Sequence, residues 1–179
     1  MQKLTSAQKA AVSLLRHGEI VTDDGMDTEL FLLVSGLVPL ANVDLLIVND
    51  QGQLLLERRK DPWFQESWHI PGGCMRYGES FTHCVQQTAL REIGTEVLCD
   101  REPITVRNVI RGVAPEGQFP RERGHNVAIL FRCRLPDGFA IQNHGKTVRD
   151  DGFLRWFDKL PEDFMAIQHS YDDVLSQWI

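Results

Sequence analysis

Between Ser80 and Ile93, apolar residues fall at Phe81, Val85, Ala89 and Ile93, one every four positions, which predicts a single helix with a core-facing stripe. Thr88, Arg91 and Glu92 stand at i, i+3 and i+4 and share a patch beside that stripe. Earlier in the chain the spacing is that of strands. Val38 to Val48 is an apolar run interrupted by Asn42 and Asp44, and Asn49-Asp50-Gln51-Gly52 predicts a hairpin turn into a second strand, Gln53 to Arg59. Lys60 to Ser67 reads as a loop. Pro71-Gly72-Gly73 ends any strand before it and lets backbone come close to a ligand. Ile104 to Arg111 and Asn126 to Arg134 predict two more strands, separated by a long segment, Gly112 to Gly124, rich in Gly, Pro and Arg, of a kind that forms binding loops or stays disordered. Phe153 to Phe157 predicts a last strand and Tyr171 to Trp178 a terminal helix. Near the start, Thr5 with Gln8 has capping-box spacing ahead of a helix from Ser6 to Arg16. Val21 to Gly25 is a loop, and Asp27 caps a short helix, Glu29 to Ser35, that Gly36 and Pro39 terminate. The expected fold class is α/β (α+β): a mixed β-sheet flanked by helices, with a short N-terminal helical extension at residues 1–36 and one main domain at 37–179.

Composition narrows the function. A length of 179 residues with 42% hydrophobic and 25% charged content suits a soluble chain with one sizeable core. A net charge of −6 argues against nucleic acid as a partner, because a phosphate backbone requires a basic face. It leaves room for a phosphorylated small molecule in a locally basic site. Arg107, Arg111, Arg121 and Arg123 read either as such a patch or as solvated surface arginines. Cys74, Cys84, Cys99 and Cys133 contain no C-x-x-C pair, which excludes a zinc ribbon and fits reduced thiols. No apolar run follows basic residues at the N-terminus as a signal peptide requires, and none elsewhere reaches the length of a bilayer span. A soluble, cytoplasmic protein without membrane partners is expected.

The densest chemistry lies in Gly73-Cys-Met-Arg-Tyr-Gly-Glu79 and the helix that follows, with Glu92 and Gly94 at its end. A glycine loop feeding a helix that aims a carboxylate back at the loop suits Mg2+ and a diphosphate. The segment resembles the Nudix box of the Nudix hydrolase superfamily, G-x5-E-x7-R-E-U-x-E-E-x-G-U with U a bulky aliphatic. It matches at Gly73, Glu79, Glu92 and Gly94 and departs at Gln87, Thr88, Arg91 and Thr95. The GDP-mannose mannosyl hydrolase subgroup also lacks carboxylates at the positions of Thr88 and Arg91 while keeping the one at Glu92. Upstream, Pro39-Leu-Ala-Asn-Val-Asp44-Leu-Leu-Ile-Val48, Gly52-Gln-Leu-Leu-Leu-Glu-Arg-Arg59 and Gln65-Glu-Ser-Trp68-His-Ile-Pro-Gly-Gly73 are similar to that subgroup's strands and turn, as is Arg155-Trp156 downstream.

The resemblance implies a Nudix-type mixed sheet and a hydrolase of a nucleoside diphosphate sugar, dependent on Mg2+ with Mn2+ as a substitute. Water would attack the anomeric carbon and release the nucleoside diphosphate, and the protein would be a homodimer. It also implies the Gly72 carbonyl and the Glu92 carboxylate as metal ligands, with Asp44 and Arg59 contacting the nucleotide sugar and its diphosphate. Ordinary Nudix attack at phosphorus, with acidic residues outside the helix replacing the missing ligands, is an alternative; a non-catalytic nucleotide-sugar binding module is another. The subgroup's Gln-His pair, a metal ligand and the general base, has no counterpart in Thr147-Val-Arg-Asp-Asp-Gly-Phe-Leu-Arg-Trp156. Candidate catalytic bases are Asp151, His144 and His125, in that order, ahead of His69 and His83. Arg91 is a candidate to neutralise the leaving diphosphate in place of extra metal ions. Each has a plainer reading: satisfied surface histidines, an exposed helical arginine, an exposed Glu92 in an ion pair, and an Asp44 paired with Arg58 or Arg59. Glu79 is expected to accept amide hydrogen bonds that support the loop. Trp68 and Phe64 are expected in core or lid packing, with stacking on a base or sugar as the other reading.

Overall fold

A computed structural model describes residues 3–17, 21–22, 25–61, 65–111 and 123–178. The elements in chain order are α1 (Ser6–His17), β1 (Val21–Thr22), β2 (Gly25–Met26), α2 (Thr28–Ser35), β3 (Leu40–Ile47), β4 (Leu54–Asp61), β5 (Gln65–His69), β6 (Gly72–Cys74), α3 (Phe81–Glu92), β7 (Leu98–Cys99), β8 (Thr105–Ile110), β9 (His125–Arg134) and β10 (Leu154–Phe157), then a 3₁₀ helix (Ala166–Tyr171) running into α4 (Asp172–Leu175). Local chemistry sets the helix starts. Thr5 N–H donates to Gln8 Oε1 (2.9 Å) and Gln8 N–H to Thr5 Oγ1 (3.2 Å), the reciprocal capping box. Asp27 accepts from the Glu29 amide at 2.9 Å, and Ser80 accepts from the His83 amide at 3.2 Å.

Two sheets form the framework. The larger has the order β6-β3-β9-β7, with β8 also paired to β9, and the smaller is antiparallel in the order β10-β4-β5. β3 and β9 run parallel, from Leu40 opposite Asn126 to Ile47 opposite Cys133, and a parallel pair needs the long crossover that passes through α3. β3 is covered on both faces. Val43, Leu45 and Ile47 pack with Val85 and Ala89 of α3 and with Ile93 at its C-cap, while Leu46 packs with Leu54, Leu56, Leu130, Tyr171 and Leu175. Burial on both faces explains why its sequence is an apolar run with little alternation. The mixed, helix-flanked architecture is the one expected. No helix among the described residues is long and apolar enough to cross a membrane.

Several local expectations are corrected. The Asn49–Gly52 turn forms, with Gly52 N–H on the Asn49 carbonyl at 3.0 Å, but only Val48 and Leu54 bridge across it. β6 and β9 already occupy both hydrogen-bonding edges of β3, so β4 turns away and pairs with β5 and β10. The loop expected from Lys60 to Ser67 is largely strand. β4 runs to Asp61 and β5 starts at Gln65, with Lys60 Nζ 3.3 Å from Glu66 Oε1 across the pair. Phe81 belongs less to the core than its spacing predicts: it is 46% exposed and meets the Phe131 ring at 5.7 Å. The buried face of α3 is Cys84, Val85, Thr88 and Ala89. The C-terminal helix begins earlier, as a 3₁₀ segment, and has only one α-helical turn. β7 had no sequence signal; Gln86 fixes the chain before it, accepting from Val97 N–H (3.0 Å) and donating to the Val97 carbonyl (2.8 Å). Phe64, Arg121 and most of the Gly112–Gly124 segment lie outside the described residues.

One side chain, Asn143, ties the segment before β10 to the outer edge of that strand. Asn143 Nδ2 donates to the Leu154 carbonyl (3.0 Å), and its Oδ1 accepts from Leu154 N–H (2.8 Å). Replacing Asn143 with Ala leaves both half-buried backbone groups without partners. The variant is expected to lose about 1–3 kcal/mol of stability, measured by urea unfolding, with proteolysis starting between 143 and 153. An unchanged midpoint with unchanged cleavage would refute this.

Candidate functional site

Strand alternation builds one cleft. Asn42 and Asp44 on β3, Glu57 and Arg59 on β4, and Asn126 and Ala128 on β9 are spaced by two, so each pair faces the same side of its strand. All six line a cavity of about 400 Å³, together with His69, Gly72, Gly73, Cys74, Arg91, Glu92, Arg123, Asp151, Gln168 and Tyr171.

One part of this cleft is acidic. Glu57 is 4% exposed, and its Oε2 is buried without a hydrogen-bond partner. Burial pushes its carboxyl up to about 9; the neighbouring Glu92 and then Asp151 add to the shift, and Lys146 opposes it. His69, directly opposite on β5, places Nε2 3.7 Å from Oε2. Its Nδ1 lies 2.8 Å from the Ile70 carbonyl, which can only accept, so Nδ1 carries the hydrogen. Glu92 Oε1 accepts from Arg91 Nε at 2.6 Å, and Asp151 Oδ1 accepts from Lys60 N–H at 2.7 Å.

The middle of the cleft depends on two glycines. A side chain on Gly72 would collide with Asp44 Oδ1 and lie 2.8 Å from the Val43 carbonyl. One on Gly73 would lie 2.5 Å from Arg91 Nη2 and 2.7 Å from Thr88 Oγ1. Backbone therefore forms this wall, with the Arg91 guanidinium lying across it. Cys74, beside it, has its thiol raised by burial and lowered by Arg123, Arg59 and Arg91, so three guanidinium groups act on the same place. Glu79 supports the loop below, accepting from Arg76 N–H at 2.8 Å.

The remaining wall comes from the C-terminal segment. Tyr171 O–H donates to Asp44 Oδ2 (2.7 Å), and Gln168 Nε2 donates to Oδ1 (3.3 Å) while its Oε1 accepts from Ile70 N–H (2.7 Å). Burial raises the Asp44 carboxyl to about 6, against the lowering effect of Tyr171, Gln168 and Arg59.

The cleft gathers Gly72, Glu92, Asp44, Arg59, Arg91 and Asp151 from the sequence candidates. His125 and His144 are outside it, and this corrects their expected place. The alternation of β9 turns His125 away from Asn126, and its Nε2 donates to Asn108 Oδ1 at 2.6 Å. His144 sits exposed in a turn with φ of 46°. Arg58, a considered partner for Asp44, faces the other way, over the Trp68 ring at 5.5 Å and paired with Glu66 and Asp163. Of the arginine patch, Arg123 lines the cleft, while Arg107 binds Asp173 and the Ser170 carbonyl. Trp68 is core. Sequence reasoning passed over Glu57, although period-two spacing from Arg59 places it on the same face. Tyr171 and Gln168 had no signal, since their contact with Asp44 spans the chain.

The residues fit a divalent cation. Glu92 and the Gly72 backbone border the same space as a buried carboxylate oxygen that lacks a donor. Among the described residues no three His, Cys, Asp or Glu side chains make a ready cage, which suits an ion that keeps several waters.

A model of the NUDIX domain matches residues 38–167. The low-salt glycan biosynthesis protein Agl8 of Haloferax volcanii is 31% identical over 100 residues, 56% of this chain and 62% of that protein. This chain thus spans less than two thirds of that relative. A crystal structure of a UDP-X diphosphatase is similar in fold, with a TM-score of 0.55 and 20% identity, over 96% of this chain and 77% of that one. A MutT protein of Methanosarcina mazei Go1 is similar over 78% of this chain and 94% of that one, with a TM-score of 0.54 and 17% identity.

Asp44 makes stability depend on pH in metal-free protein. Its carboxyl ionises near 3.8 when unfolded and near 6 when folded, so unfolding releases a proton between those values and stability falls as pH rises through them. The fall is about 3 kcal/mol at full shift. Asp44→Asn should remove it, and chemical denaturation of both proteins in a chelator at pH 4, 5 and 6.5 measures the difference. Parallel profiles would contradict it.

Proposed function

The chain belongs to the NUDIX family, and we propose that it is a hydrolase of a nucleoside diphosphate linked to a sugar, working with Mg2+ or Mn2+. The observation that carries this reading is the opposition of carboxylates and guanidinium groups in one cleft: Glu57, Glu92 and Asp151 against Arg59, Arg91 and Arg123. A diphosphate and its cation are the ligand pair such a cleft complements. The glycan biosynthesis relative supports a sugar as the linked group.

In this reading Gly72 and Glu92 hold the cation, and bound Mg2+ supplies neutralising charge to the diphosphate. Arg59, Arg91 and Arg123 bind the phosphate oxygens. Arg91 is held in place by its bond to Glu92 and meets the substrate already oriented. Asn42 and Asn126, joined through Asn42 Nδ2 and Asn126 Oδ1 at 3.2 Å, offer neutral hydrogen-bonding groups to the sugar or base. Asp151 takes the proton of the attacking water, with one oxygen fixed by the Lys60 amide.

Attack at phosphorus is favoured by Glu57 and Asp151, carboxylates that enter the cleft from outside α3. Attack at the anomeric carbon is favoured by the helix itself, which shares the gaps at Thr88 and Arg91 with mannosyl hydrolases. Hydrolysis of a panel of GDP- and UDP-sugars in ¹⁸O-labelled water separates them. The expected products are nucleoside monophosphate and sugar phosphate, with label in one of the phosphates. Labelled free sugar with nucleoside diphosphate would transfer the assignment to carbon, and binding without turnover across the panel would make the protein a binding module. Arg91→Ala should lower kcat/KM by roughly 10²–10³-fold; an unchanged value would remove Arg91 from the site chemistry.

A further inference from the structure

Glu57, like Asp44, is a carboxylate that enters the cleft from the interior of a strand, but unlike Asp44 it has an oxygen without a hydrogen-bond partner. Its two oxygens have different surroundings. Oε1 lies toward Gly152 and the Lys146 ammonium, which itself donates to the Gly152 carbonyl at 3.2 Å. Oε2 is buried and has no hydrogen-bond partner, and the Glu57 carboxyl lies close enough to Glu92 for the two to interact in the same cleft. The nearest nitrogen to it in an ion-pair geometry is His69 Nε2 at 3.7 Å, too far for a hydrogen bond. The Nδ1–H of that ring is committed to the Ile70 carbonyl, so a neutral His69 turns a lone pair toward Oε2. Two carboxylates and an imidazole nitrogen then converge as electron-pair donors, and a buried carboxylate is retained in such a setting when something positive satisfies it.

We propose that Glu57 is a metal ligand: its Oε2 joins Glu92 and the Gly72 carbonyl on the divalent cation, so that strand β4 supplies the coordination that α3 gives up at Thr88 and Arg91. This rests on the cation site of the proposed function and goes beyond it, because the box resemblance assigns nothing to position 57. Thr88 is fully buried beneath Gly73 and Arg91 is paired with Glu92, so neither offers a replacement oxygen from the helix. His69, fixed through Nδ1, acts as a positioning residue behind Glu57.

The test is Mn2+ binding, read by electron paramagnetic resonance of the free ion, on the full chain without substrate. Wild type, Glu57→Gln, Glu92→Gln and, as a carboxylate outside the cleft, Glu66→Gln are compared, with thermal unfolding of each in a chelator. The expected result is affinity reduced about tenfold or more in Glu57→Gln and Glu92→Gln and unchanged in Glu66→Gln. Metal-free Glu57→Gln should also unfold at the same or a higher temperature than wild type, because Glu57 Oε2 makes no hydrogen bond that the amide would lose. A purely structural ion pair of Glu57 with Lys146 or His69 predicts a lower one. Wild-type affinity in Glu57→Gln alongside loss in Glu92→Gln would overturn the assignment of Glu57 and leave the cation site standing. No Mn2+ binding by wild type would overturn both. Should Glu57→Gln fail to fold, anomalous scattering from wild-type crystals soaked in Mn2+ decides the matter: density within coordination distance of Glu57 Oε2 supports the assignment, and density on Glu92 alone overturns it.

Discussion

Asp44 from one side, and Thr88 with Arg91 from the other, close on Gly72 and Gly73 so tightly that a single added carbon would meet an oxygen or a nitrogen. This close approach fixes how β6 sits between β3 and α3, and much of the cleft follows from it. Because backbone forms the wall, the Arg91 side chain can lie across it and Glu92 can reach the same space as the Gly72 carbonyl. Thr88 is small enough to bury beneath the wall, at the position where the family pattern carries a glutamate. The departure at Thr88 is thus part of how this chain packs.

The two sides of the cleft rest on different supports, and their responses to perturbation should differ accordingly. Asp44 is anchored by Tyr171 and Gln168, more than 120 residues away, and these make the C-terminal segment a structural wall of the site. Its carboxylate has both oxygens engaged by the chain itself. It orders the Gly72 edge whether or not it also touches a substrate. Glu57 has the opposite character, with one oxygen left without a hydrogen-bond partner. A buried polar atom without a partner costs stability, and its retention beside Glu92 is explained by a ligand more readily than by the fold.

How far the sequence reached depended on the range of the interaction concerned. Helix starts at Thr5, Asp27 and Ser80 are set by contacts two or three residues away; capping signals located the first two, and apolar spacing located the third. The gathering of Gly72, Arg91 and Glu92 was equally legible, since a turn and one helix face bring them together. Pairing of β4 was not, because nothing in Gln53 to Arg59 records that β6 and β9 have taken both edges of β3. The same limit hid the Asp44–Tyr171 bond and left His125 a candidate until the alternation of β9 turned it outward. Glu57 is a different failure. Its place on the Arg59 face follows from the two-residue period of a strand, but it directly follows the apolar run Leu54-Leu55-Leu56, which hides that alternation.

The position of that glutamate bears on how a box with a single helical carboxylate can still serve a cation. The pattern that the chain resembles places glutamates at 88 and 91; here those sites hold a buried threonine and an arginine. Besides Asp44, whose oxygens are taken by Tyr171 and Gln168, two carboxylates enter the cleft from elsewhere, Glu57 on β4 and Asp151 on the segment tied to β10 by Asn143. The number of acidic groups near Glu92 is therefore kept while their supports change. A ligand on a central strand is held by the sheet on both sides, through Leu154 of β10 and His69 of β5, whereas a ligand on a helix surface is held by one packed face. With Arg91 now a cation, the helix contributes both signs of charge to the cleft. The strand keeps a negative site beside it, and the diphosphate is left a place between the two.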